Sequence, residues 1–210
     1  MPLHRLLIVL AAALVCTGPA WAQTKVRTES IKPPASQPDK GAKPSARAAA
    51  PDPSATPPDI ITDSSTLPAP VARMRERILA AARSGDLQKL VTVMQTNETM
   101  PVFSLSEDKD PIAFWKANYP ESDGIEILSI LTGILETGFV HVDAGTPQDM
   151  YLWPYFARMP LKDLTPEQKV ELFRIVTGAD YKDMLDFGAY SFYRVGIGPD
   201  GTWHFFVSGD

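Results

Sequence analysis

Three side chains of different chemistry are predicted to share one face of a C-terminal β-hairpin: Arg194, His204 and Phe206. Residues 198–201 (Gly-Pro-Asp-Gly) predict a three-residue hairpin loop, because proline and aspartate suit a type I turn and the second glycine can adopt positive φ. In the register that follows, Arg194 lies opposite Phe206 and His204 lies opposite Gly196. A guanidinium over a phenyl ring, with an imidazole beside a glycine notch, could hold an anionic group such as a carboxylate. The alternative is an ordinary sheet face, open to solvent or covered by a helix, with Arg194 paired to an acidic residue.

Two further groups of side chains alternate along predicted strands. His141 and Asp143 point the same way, so they could be a general base with its orienting carboxylate or two metal ligands. The alternative is a surface histidine beside a carboxylate at the end of a strand. Tyr151, Trp153 and Tyr155 also share a face, where they could stack on sugar rings or on a partner's prolines, or belong to the core.

No metal site and no cofactor is predicted. A metal site needs a third ligand that cannot be placed, and the sequence has no phosphate-binding glycine loop, no G-x-S-x-G elbow and no H-E-x-x-H motif.

The elements that would position these residues give an α+β domain. Helical spacing of apolar residues, together with helix-start residues, predicts helices that begin near residues 70, 86, 110, 123, 165 and 180. At 165–168, Thr-Pro-Glu-Gln predicts a capping box. Strands are predicted over 138–143 and 150–155 and in the final hairpin. The expected fold is therefore helices packed on an antiparallel sheet of about four strands that ends in the C-terminal hairpin.

Two short segments carry a resemblance to a known fold. Ser84-Gly85-Asp86-Leu87 joins the first two predicted helices, and Asp200-Gly201-Thr202-Trp203 lies near the end of the chain. In these segments the chain resembles proteins of the nuclear-transport-factor-2-like fold. The resemblance implies a pocket between a curved sheet and helices, which Arg194 and His204, with His141 and Tyr155, would line.

The first 22 residues predict a secretory signal peptide. His4 and Arg5 form a short basic region, residues 6–15 are apolar, and Ala-Trp-Ala at 20–22 matches a cleavage site before Gln23. Cleavage after residue 22 would export the chain to the periplasm or beyond; the alternative is an uncleaved anchor helix. The single cysteine, Cys16, lies within this peptide, so the mature chain would contain no thiol.

Residues 23–68 predict a disordered Pro/Ala-rich linker, since they contain 9 of the 20 prolines and few large apolar residues. Their basic first half could be a plain spacer or a tether that touches an anionic surface. Residues 69–210 predict one globular domain. Its 13 Lys and Arg against 20 Asp and Glu argue against nucleic-acid binding, which needs a basic surface, and no apolar run after residue 22 has membrane-spanning length.

Together these features predict an exported envelope protein with a non-enzymatic binding or structural role. Its partner would be another envelope protein or a cell-wall component. The alternative is a small-molecule-binding or enzymatic pocket over the sheet that uses Arg194 and His204.

Overall fold

The predicted α+β architecture is confirmed in a computed structural model that describes residues 58–106 and 108–209. The predicted signal peptide and most of the predicted linker lie outside these residues. Six α-helices and four strands, with short 3-10 turns between them, make up the described part. They are α1 (Ala69–Arg83), α2 (Leu87–Met94), α3 (Pro111–Asn118), α4 (Glu126–Leu135), β1 (Val140–Val142), β2 (Met150–Trp153), α5 (Pro166–Leu172), α6 (Gly178–Phe187), β3 (Arg194–Ile197) and β4 (Trp203–Val207).

Side-chain caps explain where several helices begin. The Asp86 carboxylate accepts a hydrogen bond from Gln88 N at 2.9 Å at the start of α2. The predicted capping box of α5 is present: Gln168 N donates to Thr165 Oγ1 at 3.3 Å, and Thr165 N donates to Gln168 Oε1 at 2.9 Å. A second capping box, at Thr177 and Asp180, starts α6 two residues earlier than predicted.

The strands form one antiparallel sheet in the order β1-β2-β3-β4. Helices α5 and α6 lie in the connection between β2 and β3. Both edges are partly covered by single bridges, since Ile61 pairs with Phe139 beside β1 and Val102 pairs with Phe205 of β4. Ile60 and Ile61 are partly buried and pack against the core.

The predicted hairpin register holds only near the turn. Gly198 N donates to Thr202 O at 2.8 Å, and Ile197 pairs with Trp203. A β-bulge then inserts His204 as an extra residue on β4, so the partner of Gly196 is Phe205.

Farther along the hairpin, the partner of Val195 is Phe206 and the partner of Arg194 is Val207. The predicted pairs Arg194–Phe206 and Gly196–His204 are therefore wrong. The physical reason is burial: with one extra residue between them, Trp203 and Phe206 are both fully buried.

One hydrophobic core joins the helices and the sheet. Helix α1 packs against α2 and α4, and α4 contacts β3. All four residues of β3 are buried, so the centre of the sheet is covered on both faces. Within the described residues, no helix combines the length and apolar character needed to cross a membrane.

Candidate functional site

Arg194 is not displayed on an open face. Its side chain is buried, at 8% exposure, and Nη1 donates to the carbonyl oxygen of Gly209 at 2.6 Å. The glycine notch predicted beside it is filled, because a Cβ on Gly196 would lie 2.3 Å from Met150 Sδ and 2.5 Å from Phe205 Cζ. Arg194 thus ties the C-terminal segment to β3.

Phe206 and His204 lie in opposite environments. Phe206 is fully buried, and its ring centroid is 4.9 Å from that of Tyr193. His204 is exposed beside the hairpin turn, where its Nε2 lies 2.8 Å from the position that a Cβ on Gly198 would take. The hydrogen bond from Thr202 N lowers the pKa of the Asp200 carboxyl in this turn, and the nearby His204 imidazole contributes to the lowering.

Tyr155 is buried rather than displayed in an aromatic row. The chain leaves β2 at the Trp153–Pro154 bond, and Tyr155 opens a 3-10 turn. Its hydroxyl donates to Glu171 Oε2 at 3.0 Å, while Gly138 N donates to Glu171 Oε1 at 2.9 Å. Burial, followed by the charge of Glu171, raises the pKa of Tyr155 well above its usual value. The arrangement connects α5 to the segment that leads into β1.

Removing the Tyr155 hydroxyl should destabilise the protein. Tyr155→Phe is expected to lower the free energy of unfolding by about 1–3 kcal/mol, because the partly buried Glu171 carboxylate loses the charge-assisted hydrogen bond that the Tyr155 hydroxyl donates. Urea unfolding followed by circular dichroism measures the change. Tyr151→Phe is the matched control, since the Tyr151 hydroxyl forms no hydrogen bond with a described residue; an equal loss in both variants would contradict the role of the Tyr155–Glu171 bond.

His141 has a carboxylate partner, but not the predicted one. Its Nε2 is 2.7 Å from Asp149 Oδ1, and Asp149 Oδ2 accepts a hydrogen bond from Gly145 N at 2.8 Å. The imidazole stacks on the Tyr151 ring at 4.3 Å with an interplanar angle of 6°. Asp143 follows β1 directly and has φ of 54°, and its carboxylate lies 3.8 Å from Arg158 instead.

The His141–Asp149 pair has the geometry of an oriented base. The Gly145 backbone N–H, followed by the His141 imidazole, lowers the pKa of Asp149, so this carboxyl is an anionic acceptor. An anionic acceptor at Nε2 favours the tautomer with the proton on Nε2, which leaves Nδ1 as the lone-pair nitrogen. The side chain of His141 is 32% exposed, so a ligand could reach the ring.

Nuclear magnetic resonance can test this assignment of the proton. In the neutral form, nitrogen shifts of the full chain should show His141 with its proton on Nε2. Asp149→Asn should weaken that preference, because the amide can donate as well as accept. His204 serves as a control in the same spectra and should not respond to Asp149→Asn. A His141 ring protonated on Nδ1 would contradict the proposed orientation.

The candidate residues are not gathered at one place. His141 is on β1 and His204 is on β4, at opposite edges of the sheet. Three strand spacings of about 4.8 Å separate these edges, or about 14 Å. Among the described residues, no group of three His, Cys, Asp or Glu side chains is placed to hold a metal ion.

None of the five candidates lines either of two open grooves in the described part. One groove, of about 470 Å³, lies between the end of α1, α4 and Arg174. There Arg83 and Arg174 approach Glu136 to 2.7 and 3.8 Å. The other groove, of about 360 Å³, lies between α1, residues 96–98 and the hairpin turn at 200–202.

Arg73 and Arg77 of α1 line this second groove and were not predicted as site residues. Their spacing of four residues on one helix was the available signal. The groove itself could not be recognised, because its other walls come from segments distant in sequence.

The chain has no match to a protein-family model, and neither the search of curated proteins nor that of solved structures returned a match. The resemblance to nuclear-transport-factor-2-like proteins stays a prediction.

Proposed function

We propose that this chain is an exported envelope protein whose folded domain has a non-enzymatic binding or structural role. The observation that carries the proposal is the separation of the two histidines at opposite edges of the sheet. A general base and its co-acting groups must lie within hydrogen-bond reach of one substrate. Arg194, which would hold an anionic substrate in the pocket alternative, is buried against Gly209.

The proposed export depends on the first 22 residues. Their basic start, apolar run and Ala-Trp-Ala sequence fit a cleaved secretory signal. The basic, proline-rich residues 23–48 would then give the domain reach toward a partner, which is another envelope protein or a cell-wall component.

Export has a direct test. When the full chain is produced in a bacterium with two membranes, mass spectrometry of the periplasmic fraction should find an N-terminus at Gln23. Ala20→Asp with Ala22→Asp should abolish this product, because the cleavage site requires small residues. An unprocessed chain that stays in the cytoplasm would overturn the proposed export.

The binding role requires a separate test. Crosslinking in the envelope fraction should join the partner to residues within 58–209, and a variant chain lacking 23–57 should retain that crosslink. Crosslinks that depend only on residues 23–57 would overturn the part assigned to the domain.

A catalytic role is the second candidate, and the His141–Asp149 pair is the observation that favours it. The carboxylate holds the ring through Nε2, as an orienting group does in many base-assisted reactions. In this alternative the reacting group would meet Nδ1. Carbethoxylation measures the reactivity of each histidine: a His141 more reactive than His204, and slowed by Asp149→Asn, would favour catalysis over simple binding.

A further inference from the structure

The groove beside α1 has the dimensions of a small-molecule site. We call it the α1–turn groove; it is formed by residues 70–77 of α1, residues 96–98 and the turn residues 200–202. Its volume of about 360 Å³ falls within the ordinary range of ligand pockets, about 300–1,000 Å³.

Two guanidinium groups along this groove have no hydrogen-bond or ion-pair partner among the described residues. Arg73 and Arg77 are exposed, and neither has a hydrogen bond or an ion pair with any described residue. The other arginines of α1 are engaged: Arg75 donates to Leu135 O, and Arg83 pairs with Glu136. Because Arg73 and Arg77 are four residues apart, they project side by side, with about 5–6 Å between their Cβ atoms.

The opposite wall is held in place by hydrogen bonds. Asn97 accepts from Trp203 N at 2.8 Å and donates to Met94 O at 2.9 Å, which joins the end of α2 to β4. The Asp200 carboxylate stabilises its own turn, since it accepts hydrogen bonds from Thr202 N at 2.8 Å and from Thr202 Oγ1 at 2.9 Å. A preorganised wall lowers the entropy cost of binding.

Glu98 is the remaining charged side chain of the groove. It is exposed and has no hydrogen bond or ion pair with a described residue. The groove therefore contains two arginines and one glutamate that have no partner among the described residues. Asp200 is a second carboxylate, which already accepts two hydrogen bonds.

We propose that the α1–turn groove binds a small zwitterion, an α-amino acid or a short peptide with free termini. A guanidinium pairs with a carboxylate through parallel hydrogen bonds, so Arg73 and Arg77 hold the ligand's carboxylate. The Glu98 carboxylate accepts hydrogen bonds from the ligand's ammonium group. The two acidic side chains in the groove disfavour a doubly charged phosphate relative to a singly charged carboxylate.

This inference gives the proposed binding role a ligand class, but it does not depend on export. The groove is a property of the folded domain, so its test uses purified protein. Failure of the groove proposal would leave cleavage after Ala22 and the crosslinking result untouched.

Titration calorimetry of the full chain provides the test, with alanylalanine and alanine as probes. At least one of the two should bind, and the tighter one identifies whether a peptide or an amino acid is preferred. The amide of alanylalanine lacks the carboxylate and should bind at least about tenfold more weakly, as expected for loss of a charge-assisted hydrogen bond. N-acetyl-alanylalanine lacks the ammonium group and should also bind more weakly.

Matched variants connect binding to the groove. Arg73→Gln and Arg77→Gln should each weaken alanylalanine binding at least about tenfold. Glu98→Gln should weaken alanylalanine but not its N-acetyl derivative. Arg83→Gln, on the same helix but outside the groove, should change neither. All four residues are largely exposed, so unfolding curves should stay near that of the natural chain.

Two results would overturn the proposal. The first is absence of binding by both zwitterions, or binding that Arg83→Gln weakens as much as Arg73→Gln does. The second is inorganic phosphate binding as tightly as alanylalanine, which would make the groove a general anion site.

Discussion

Replacing Trp203 by alanine is expected to lower the free energy of unfolding by about 3–5 kcal/mol. The side chain is fully buried in the core, next to the β-bulge. Its Nε1 donates to Phe205 O at 3.0 Å, so the substitution removes a hydrogen bond as well as a large apolar surface. Domains of this size are stable by about 5–15 kcal/mol, so the loss would be a large share of the total.

Urea unfolding followed by far-ultraviolet circular dichroism measures this loss. Phe187→Ala is the matched control, because Phe187 is 58% exposed and its removal should change stability by less than about 1 kcal/mol. If Trp203→Ala fails to fold, Trp203→Phe keeps most of the buried surface and permits a measurement. Equal stability of the Trp203 and Phe187 variants would contradict the central position of Trp203.

Gly201→Ala is expected to lower the free energy of unfolding by about 2–5 kcal/mol, for two separate reasons. Gly201 has φ of 90°, a conformation that costs an alanine about 1–2 kcal/mol. A Cβ would also lie 2.8 Å from the carbonyl oxygen of Pro70, which belongs to the backbone of α1 and cannot rotate away. Such crowding costs about 1–3 kcal/mol more.

Gly188→Ala separates these two contributions. Gly188 has φ of 91° but no atom within 4 Å of its Cβ position, so only the conformational cost applies. In thermal or urea unfolding, the Gly201→Ala variant should therefore be less stable than the Gly188→Ala variant. Identical losses of stability in the two variants would contradict the close contact between Gly201 and the Pro70 carbonyl of α1.

Gly201 and Trp203 both support the walls of the α1–turn groove. Gly201 sets the turn against Pro70, and the Trp203 backbone N–H holds Asn97. Substitutions at Gly201 or Trp203 would therefore change both the shape of the groove and the stability of the protein. The exposed residues Arg73, Arg77 and Glu98 are the ones that can test binding without a change in folding.

Local interactions account for what the amino-acid pattern predicted correctly. The Thr165–Gln168 capping box, the Asp86 cap and the turn at 198–202 all join residues within four positions of each other. Such contacts depend on residue type and spacing alone. The long apolar stripes of α1, α2 and α4 likewise predict their buried faces.

The β-bulge at His204 could not be predicted in this way. An unbulged hairpin also satisfies the backbone hydrogen bonds of β3 and β4. The choice depends on how Trp203 and Phe206 fill the core beneath the sheet, and that core is formed by α1, α4 and other distant segments. One extra residue then moved Arg194 and His204 out of the predicted shared cluster.

The partner of His141 was missed for a related reason. Asp143 is closer in sequence and shares the predicted strand face, but it adopts φ of 54° at the end of β1. The loop that follows folds back and places Asp149 at Nε2 of the imidazole. The alternation of residues along a strand predicts which face each side chain points to, but it does not predict how the following loop folds back.

The amino-acid sequence by itself determined the α+β class, the order of the helices and strands and the hairpin turn, because these depend on short-range spacing and on caps. Tertiary structure alone decided the bulged register, the burial of Arg194, the pairing of His141 with Asp149 and the groove that contains Arg73, Arg77 and Glu98. Each of these depends on how the chain folds back and how the core packs, which residue type and spacing along a single helix or strand do not specify.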